Sequence, residues 1–229
     1  MTHDIEALIS QAYAHVDGQD TIRARQLFQQ ITELAPDNAE AWLMLGALDG
    51  ETGDTISALA NIQRAIQLDP NYLEARLTLA LLYQRQGEND QALAQAREAV
   101  RIAPKDSEAW LLLSGLAGQT GDFITAEAAA AALLAIDPSS TQALVNLASA
   151  QRGRGNLEEA IAGYRKVLDL NAGQLESLIG LGNTLLALDR AGEALEPLLA
   201  AVKVAPDNTE ARDYLDRAFM ATGQIVPLT

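Results

Sequence analysis

Five prolines, Pro36, Pro70, Pro104, Pro138 and Pro206, are separated by 34, 34, 34 and 68 residues. A fixed period of this length constrains a chain more than its composition does, because each period must fold as one supersecondary unit stacked on copies of itself. The skipped position is Ala172, and its surroundings, Leu168-Asp169-Leu170-Asn171, match Leu68-Asp69-Pro70 and Ile136-Asp137-Pro138. Other positions keep the same frame. Ala24, Ala58, Ala92, Ala126, Ala160 and Ala194 form one ladder, and Leu45, Leu79, Leu113, Leu147, Leu181 and Leu215 another. Gly53, Gly87, Gly121 and Gly155 form a third, each followed by Asp, Glu or Asn, while Trp42 and Trp110 share a fourth position.

The unit is helical. Apolar residues make up 48% of the chain, aromatic residues only 4%, and the apolar share is mostly Ala and Leu, the side chains that lose least freedom in a helix. Val, Ile and Thr do not gather into the alternating runs of strands. Each repeat predicts a first helix of about fourteen residues, entered at good N-cap residues: Asp37-Asn38, Asp106, Ser140 and Asp207-Asn208. The mid-repeat glycine permits the left-handed turn that ends it. The Asp, Glu or Asn that follows caps the second helix, and the closing proline stops it. Gly46, Gly115 and Gly182 are expected where two helices approach closely.

These residues resemble the tetratricopeptide repeat family, whose pattern runs Trp, Leu-Gly, Tyr, Ala, Phe, Ala and Pro along 34 residues. Trp42, Leu45, Gly46, Ala58, Ala65 and Pro70 are in register, with Ile62 at the Phe place and Asp49 at the Tyr place; the next repeat has Tyr83, Ala92, Ala99 and Pro104 but Arg76 in place of Trp. The resemblance covers nearly the whole chain. It implies an all-α, right-handed α-solenoid of six helical hairpins, near 5–38, 39–72, 73–106, 107–140, 141–174 and 175–208, plus a C-terminal capping helix at 209–222. No linker or composition break interrupts 1–229, so one domain is expected, with a loose tail from Gly223.

Catalysis needs a nucleophile, a base or a metal ligand gathered in a concave site. The only histidines are His3 and His15, and there is no cysteine, which removes disulfides, thiolate metal sites and a Cys nucleophile together. Gly153-Arg154-Gly155 and Gly180-Leu181-Gly182 do not follow a predicted strand, so a dinucleotide-binding reading fails. No enzyme, cofactor or metal site is expected. Sixteen basic residues against thirty-one acidic ones give a net charge of −15, which repels polyphosphates and argues against nucleic acid as partner. No apolar run is long enough to span a membrane. The N-terminus has no secretory signal pattern, so a cytoplasmic location is expected.

In solenoids of the resembled kind the first helices line the concave face. The repeat frame then gives two adjacent rows, one helical turn apart. The first is Ile9, Leu43, Leu77, Leu111, Val145 and Ile179; the second is Tyr13, Ala47, Leu81, Gly115, Ser149 and Asn183. The first row is aliphatic throughout. It predicts an apolar trough for a peptide or partner helix, flanked by Asn146, Arg85 and Arg152. Relatives that clamp a C-terminal carboxylate carry Lys and Asn in these rows. Here those places hold Ile9, Leu43, Leu77, Tyr13, Ala47 and Leu81, so that mode is not expected. Nor is backbone capture by an asparagine ladder, since Asn146 stands beside Ser10, Met44, Thr78, Leu112 and Gly180. The leading expectation is a protein-interaction scaffold. The alternatives are the N-terminal module of a larger glycosyl-, methyl- or sulfotransferase, a fusion common in similar bacterial chains, and a self-associating scaffold.

Overall fold

The computed structural model describes residues 2–223, with side chains from residue 5 onward. The tail beyond Gly223 and the His3 side chain lie outside them. Among the described residues there are thirteen α-helices and no strand: α1 (Thr2–Asp17), α2 (Thr21–Leu34), α3 (Ala39–Thr52), α4 (Thr55–Leu68), α5 (Leu73–Gln86), α6 (Asn89–Ile102), α7 (Ser107–Thr120), α8 (Phe123–Ile136), α9 (Thr141–Gly153), α10 (Leu157–Leu170), α11 (Leu175–Ala187), α12 (Ala191–Val204) and α13 (Thr209–Thr222). Each expected hairpin holds one helix pair, and α13 spans the expected cap. The chain groups into two compact units, Met1–Ala109 and Trp110–Thr229.

The turn between paired helices has one geometry throughout. Gly53, Gly87, Gly121 and Gly155 have φ between 76° and 86°, where a Cβ is strained. The same conformation recurs one repeat outside the glycine ladder at each end, at Gln19 (φ 57°) and Asp189 (φ 56°), and again at Gly223. The turn therefore belongs to the repeat, and glycine is only its least strained occupant. Asn38, Ser140 and Asn208 accept from the backbone N–H groups of Ala41, Ala143 and Ala211, and Asp106 accepts from that of Ala109, as expected. Asp54 and Asp122 cap α4 and α8, but Glu88 and Asn156 make no side-chain cap bond. Glu is one methylene too long for good N-cap geometry.

In the first unit the alanine ladder is fully buried at Ala24, Ala58 and Ala92. Phe28, Ile31, Leu45 and Leu48 pack with Ala24 into one cluster, and Leu43, Ile62, Leu79 and Leu82 pack with Ala58 into the next. A Cβ on Gly46 would stand 2.7 Å from Ile62 Cγ1, so this glycine does mark a close helix approach. Arg76, the departure from Trp, takes over the polar task of that residue. Trp42 donates Nε1–H to the Pro36 carbonyl at 3.0 Å, and Arg76 donates to the equivalent Pro70 carbonyl at 2.9 Å. Asp49, at the Tyr place, is fully buried. It accepts from Arg25 Nε at 2.5 Å and from Asn61 Nδ2 at 2.8 Å, so the charge is paired and bonded as a buried charge must be.

The second unit repeats the plan. Ala160, Ala194, Tyr164, Leu181, Leu185, Leu198, Leu215 and Phe219 share one core cluster. Gly180 gives way to the Tyr164 ring, whose Cζ would stand 2.5 Å from an added Cβ, and Gly182 likewise gives way to Leu198. Gly115 departs from expectation, because nothing lies within 4 Å of where its Cβ would be. Pro197 sits in the interior of α12, where it removes one rung of the hydrogen-bond ladder. Arg154 pairs with Glu127, and Arg190 pairs with both Glu158 and Glu193. Ser177 Oγ is buried without a hydrogen-bond partner.

Candidate functional site

The first helix of each hairpin decides which side chains reach solvent, and the two expected rows fare differently. In the first row Leu43, Leu77, Val145 and Ile179 are buried, at 6, 6, 0 and 8% exposure. These four correct the expected aliphatic trough. Leu43 packs against Ile62 and Leu79, Val145 against Leu144 and Val167, and Ile179 against Leu178 and Ala201. They are spent on the core, where a buried Leu, Ile or Val contributes about 1.5–3 kcal/mol to the fold. Ile9 and Leu111 are half-buried.

The second row is the accessible one. Leu81 is 43% exposed, and Tyr13, Ala47, Gly115, Ser149 and Asn183 are half-buried. Arg85 and Arg152 are exposed. Asn146 is occupied, since its amide donates to Ser114 Oγ at 2.7 Å and its carbonyl accepts from Gln142 at 3.1 Å. It orders its own surroundings rather than offering both groups to a ligand.

Each unit has a cavity opening on this row. In the first unit a notch of about 190 Å³ lies between α3 and α5, walled by Ala47, Leu81, Leu82 and Ile62, with Arg85 at its edge. In the second a cavity of about 350 Å³ is lined by Ser149, Arg152, Asn183, Glu176 and Glu210. There Asn183 donates to the Tyr214 hydroxyl at 2.9 Å, and the Ser149 and Tyr164 hydroxyls are 3.0 Å apart. The first cavity suits an apolar side chain and the second a polar group.

Acidic side chains set the electrostatics. The Tyr13 hydroxyl donates to Glu40 Oε1 at 2.5 Å. Burial, and then this bond, push the Tyr13 phenol above its ordinary range. Burial, followed by the Glu40 and Glu74 carboxylates, pushes Tyr72 up as well. Tyr214 is raised by burial and by Glu210. Residue-type reasoning passed over these glutamates although the sequence carries their signal: Glu6, Glu40, Glu74, Glu108, Glu176 and Glu210 keep the 34-residue frame, with Gln142 between.

His15 Nδ1 lies 3.2 Å from Asp20. Among the described residues no group of three or more His, Asp and Glu is placed to hold a metal. None of the described helices is long and apolar enough to cross a membrane.

Two family models, both described as tetratricopeptide repeat, match the sequence, one over residues 50–116 and the other over 9–72, 111–174 and 145–211. No curated protein matches it. Among solved structures, a tetratricopeptide repeat protein from Parabacteroides merdae is similar with a TM-score of 0.79 at 18% identity, over 97% of this chain and 88% of that one. PilF of Pseudomonas aeruginosa gives 0.75 at 15% identity, over 94% and 98%. YrrB, described as a TPR protein with an unusual peptide-binding site, gives 0.70 at 19% identity, over 81% and 96%. At these identities the likeness is one of fold. The repeat models, by contrast, match the sequence itself over most of its length, and the chain belongs to the tetratricopeptide repeat family.

Proposed function

We propose that this protein is a non-catalytic, cytoplasmic interaction scaffold that holds a peptide or partner helix on the exposed first-helix face of each of its units. The observation that carries the reading is the accessibility of the second row, with a cavity opening on it in each unit. The contact residues are Tyr13, Ala47, Leu81, Arg85 and Gly115, and then Ser149, Arg152 and Asn183, with Ile9 and Leu111 contributing their exposed edges. Leu43, Leu77, Val145 and Ile179 support this face from below. A protein-binding role fits a family fold whose pattern residues are used up in packing, and YrrB has the same fold with a peptide-binding site. Affinity purification with the parent protein and with an Ala47→Gln/Leu81→Gln/Asn183→Ala variant tests it. Partners that bind the parent should be lost from a variant that melts like the parent; retention of every partner would end the proposal.

A further inference from the structure

On α3, Glu40, Met44, Ala47 and Glu51 recur at helical spacing and form one stripe, and Glu74, Thr78, Leu81 and Arg85 form the corresponding stripe on α5. The notch between them measures about 190 Å³. It is below the size of small-molecule pockets, about 300–1,000 Å³, and is suited to one large apolar side chain. Its floor is apolar: Gly46 and Gly50 place no side chain in front of the buried Ile62 and Leu82, and the exposed Leu81 stands beside them.

The rim is acidic. Glu40, Glu51 and Glu74 are exposed, and Glu40 is bonded only to the neutral Tyr13 hydroxyl. Arg85 is the one cation lining the notch, and it faces the Gly50 carbonyl at 3.5 Å. Glu40 and Glu74 lie in the first turns of their helices, where the helix dipole alone accounts for a carboxylate. Glu51 lies in the last turn of α3, which has no basic residue. The dipole disfavours a carboxylate there, so its placement needs another reason.

We infer that the first unit docks a basic amphipathic peptide segment, one apolar side chain entering the notch and flanking Lys or Arg residues lying against Glu40, Glu51 and Glu74. This rests on the interaction reading above and adds the chemistry of the partner. An acidic segment would meet three carboxylates and one guanidinium. A neutral one would leave the carboxylates to be desolvated without compensation.

The test is fluorescence anisotropy of the full chain with three short synthetic peptides: an amphipathic Lys–Leu peptide, its Glu–Leu counterpart, and a Lys–Gly–Ser peptide without apolar residues. The Lys–Leu peptide should bind most tightly. A Glu40→Gln/Glu51→Gln/Glu74→Gln variant should weaken it about tenfold at low salt, roughly the sum of three exposed charge pairs. A Glu33→Gln/Glu88→Gln/Asp90→Asn variant, which removes equal charge elsewhere in the unit, should change it less than about twofold. Leu81→Gln should weaken the Lys–Leu peptide and leave the Lys–Gly–Ser peptide unchanged. Equal loss from both triple variants would overturn the inference, because net charge alone would then explain the binding. Tight binding of the Glu–Leu peptide that Leu81→Gln abolishes would overturn the basic assignment and keep the interaction face. Indifference of all three peptides to Leu81→Gln and Ala47→Gln would remove both.

Discussion

Replacing Arg25 by Leu removes the cation from a carboxylate that has no access to water. Asp49 is fully buried, whereas the Arg25 side chain is 37% exposed. The two partners are therefore unequal. Without Asp49, Arg25 can turn to solvent; without Arg25, Asp49 keeps only the Asn61 amide. Stranding a buried charge costs about 3–5 kcal/mol, while losing the carboxylate and its two hydrogen bonds costs about 1–3 kcal/mol. The double variant Arg25→Leu/Asp49→Leu should lie within about 1 kcal/mol of the parent, because well-packed apolar pairs replace buried ion pairs at little cost. The fold already shows the solution: the Arg25 place holds Leu59, Leu93 and Leu195 in other repeats, and the Asp49 place holds Leu185. Trp42 lines the same small cavity as Arg25 and Asp49. Its fluorescence in urea, in a Trp110→Phe background, reports this region. A coupling of at least about 3 kcal/mol is expected from the double-mutant cycle. Small, equal and additive costs for the two single variants would refute the argument.

Four further outcomes can be checked by thermal or urea unfolding. Gly182→Ala should destabilise by about 1–3 kcal/mol through overpacking against Leu198, while Gly115→Ala, in open space, should be neutral or stabilise by up to about 1 kcal/mol. Gln19→Gly should stabilise by about 0.5–1 kcal/mol by relieving its left-handed backbone, and a lower midpoint would contradict this. Ser177→Ala should stabilise by about 1 kcal/mol, since it deletes an unpaired buried hydroxyl at a place held by Ala41, Ala75, Ala109, Ala143 and Ala211 elsewhere. Hydrogen bonds from Ser57 and Ser139 hold the Asp54 and Asp137 carboxyls below the ordinary carboxylate range. Their contribution is present above the unfolded value of about 3.9 and is lost as pH falls through the lower folded value. Thermal midpoints measured from pH 6 to pH 2 should fall less steeply for Asp54→Asn/Asp137→Asn, and superimposable profiles would count against it.

The helices, their pairing and most of their ends were legible because packing residues repeat. A buried alanine or a turn glycine must recur wherever its geometry recurs. Gln19 and Asp189 were not legible as turn residues, since left-handed backbone is a property of the frame and only preferred, not required, in a residue type. The proposed interaction face was half legible. The rows were correctly assigned to the first helices, but an aliphatic row looks the same whether it fills a core or lines a groove. Only the neighbouring helix decides, and it buries Leu43, Leu77, Val145 and Ile179. The glutamate frame recurs openly along the sequence, but each member, taken singly, is ordinary helix-end chemistry.

The polar contacts that differ from repeat to repeat also bear on assembly. Alanine and leucine ladders are degenerate, so any first helix could settle on the wrong second helix 34 residues away, a hazard of tandem arrays. Asp49 can be satisfied only where Arg25 and Asn61 converge. A mispaired chain would enclose an uncompensated anion, and that error gives the nascent array an address for one junction.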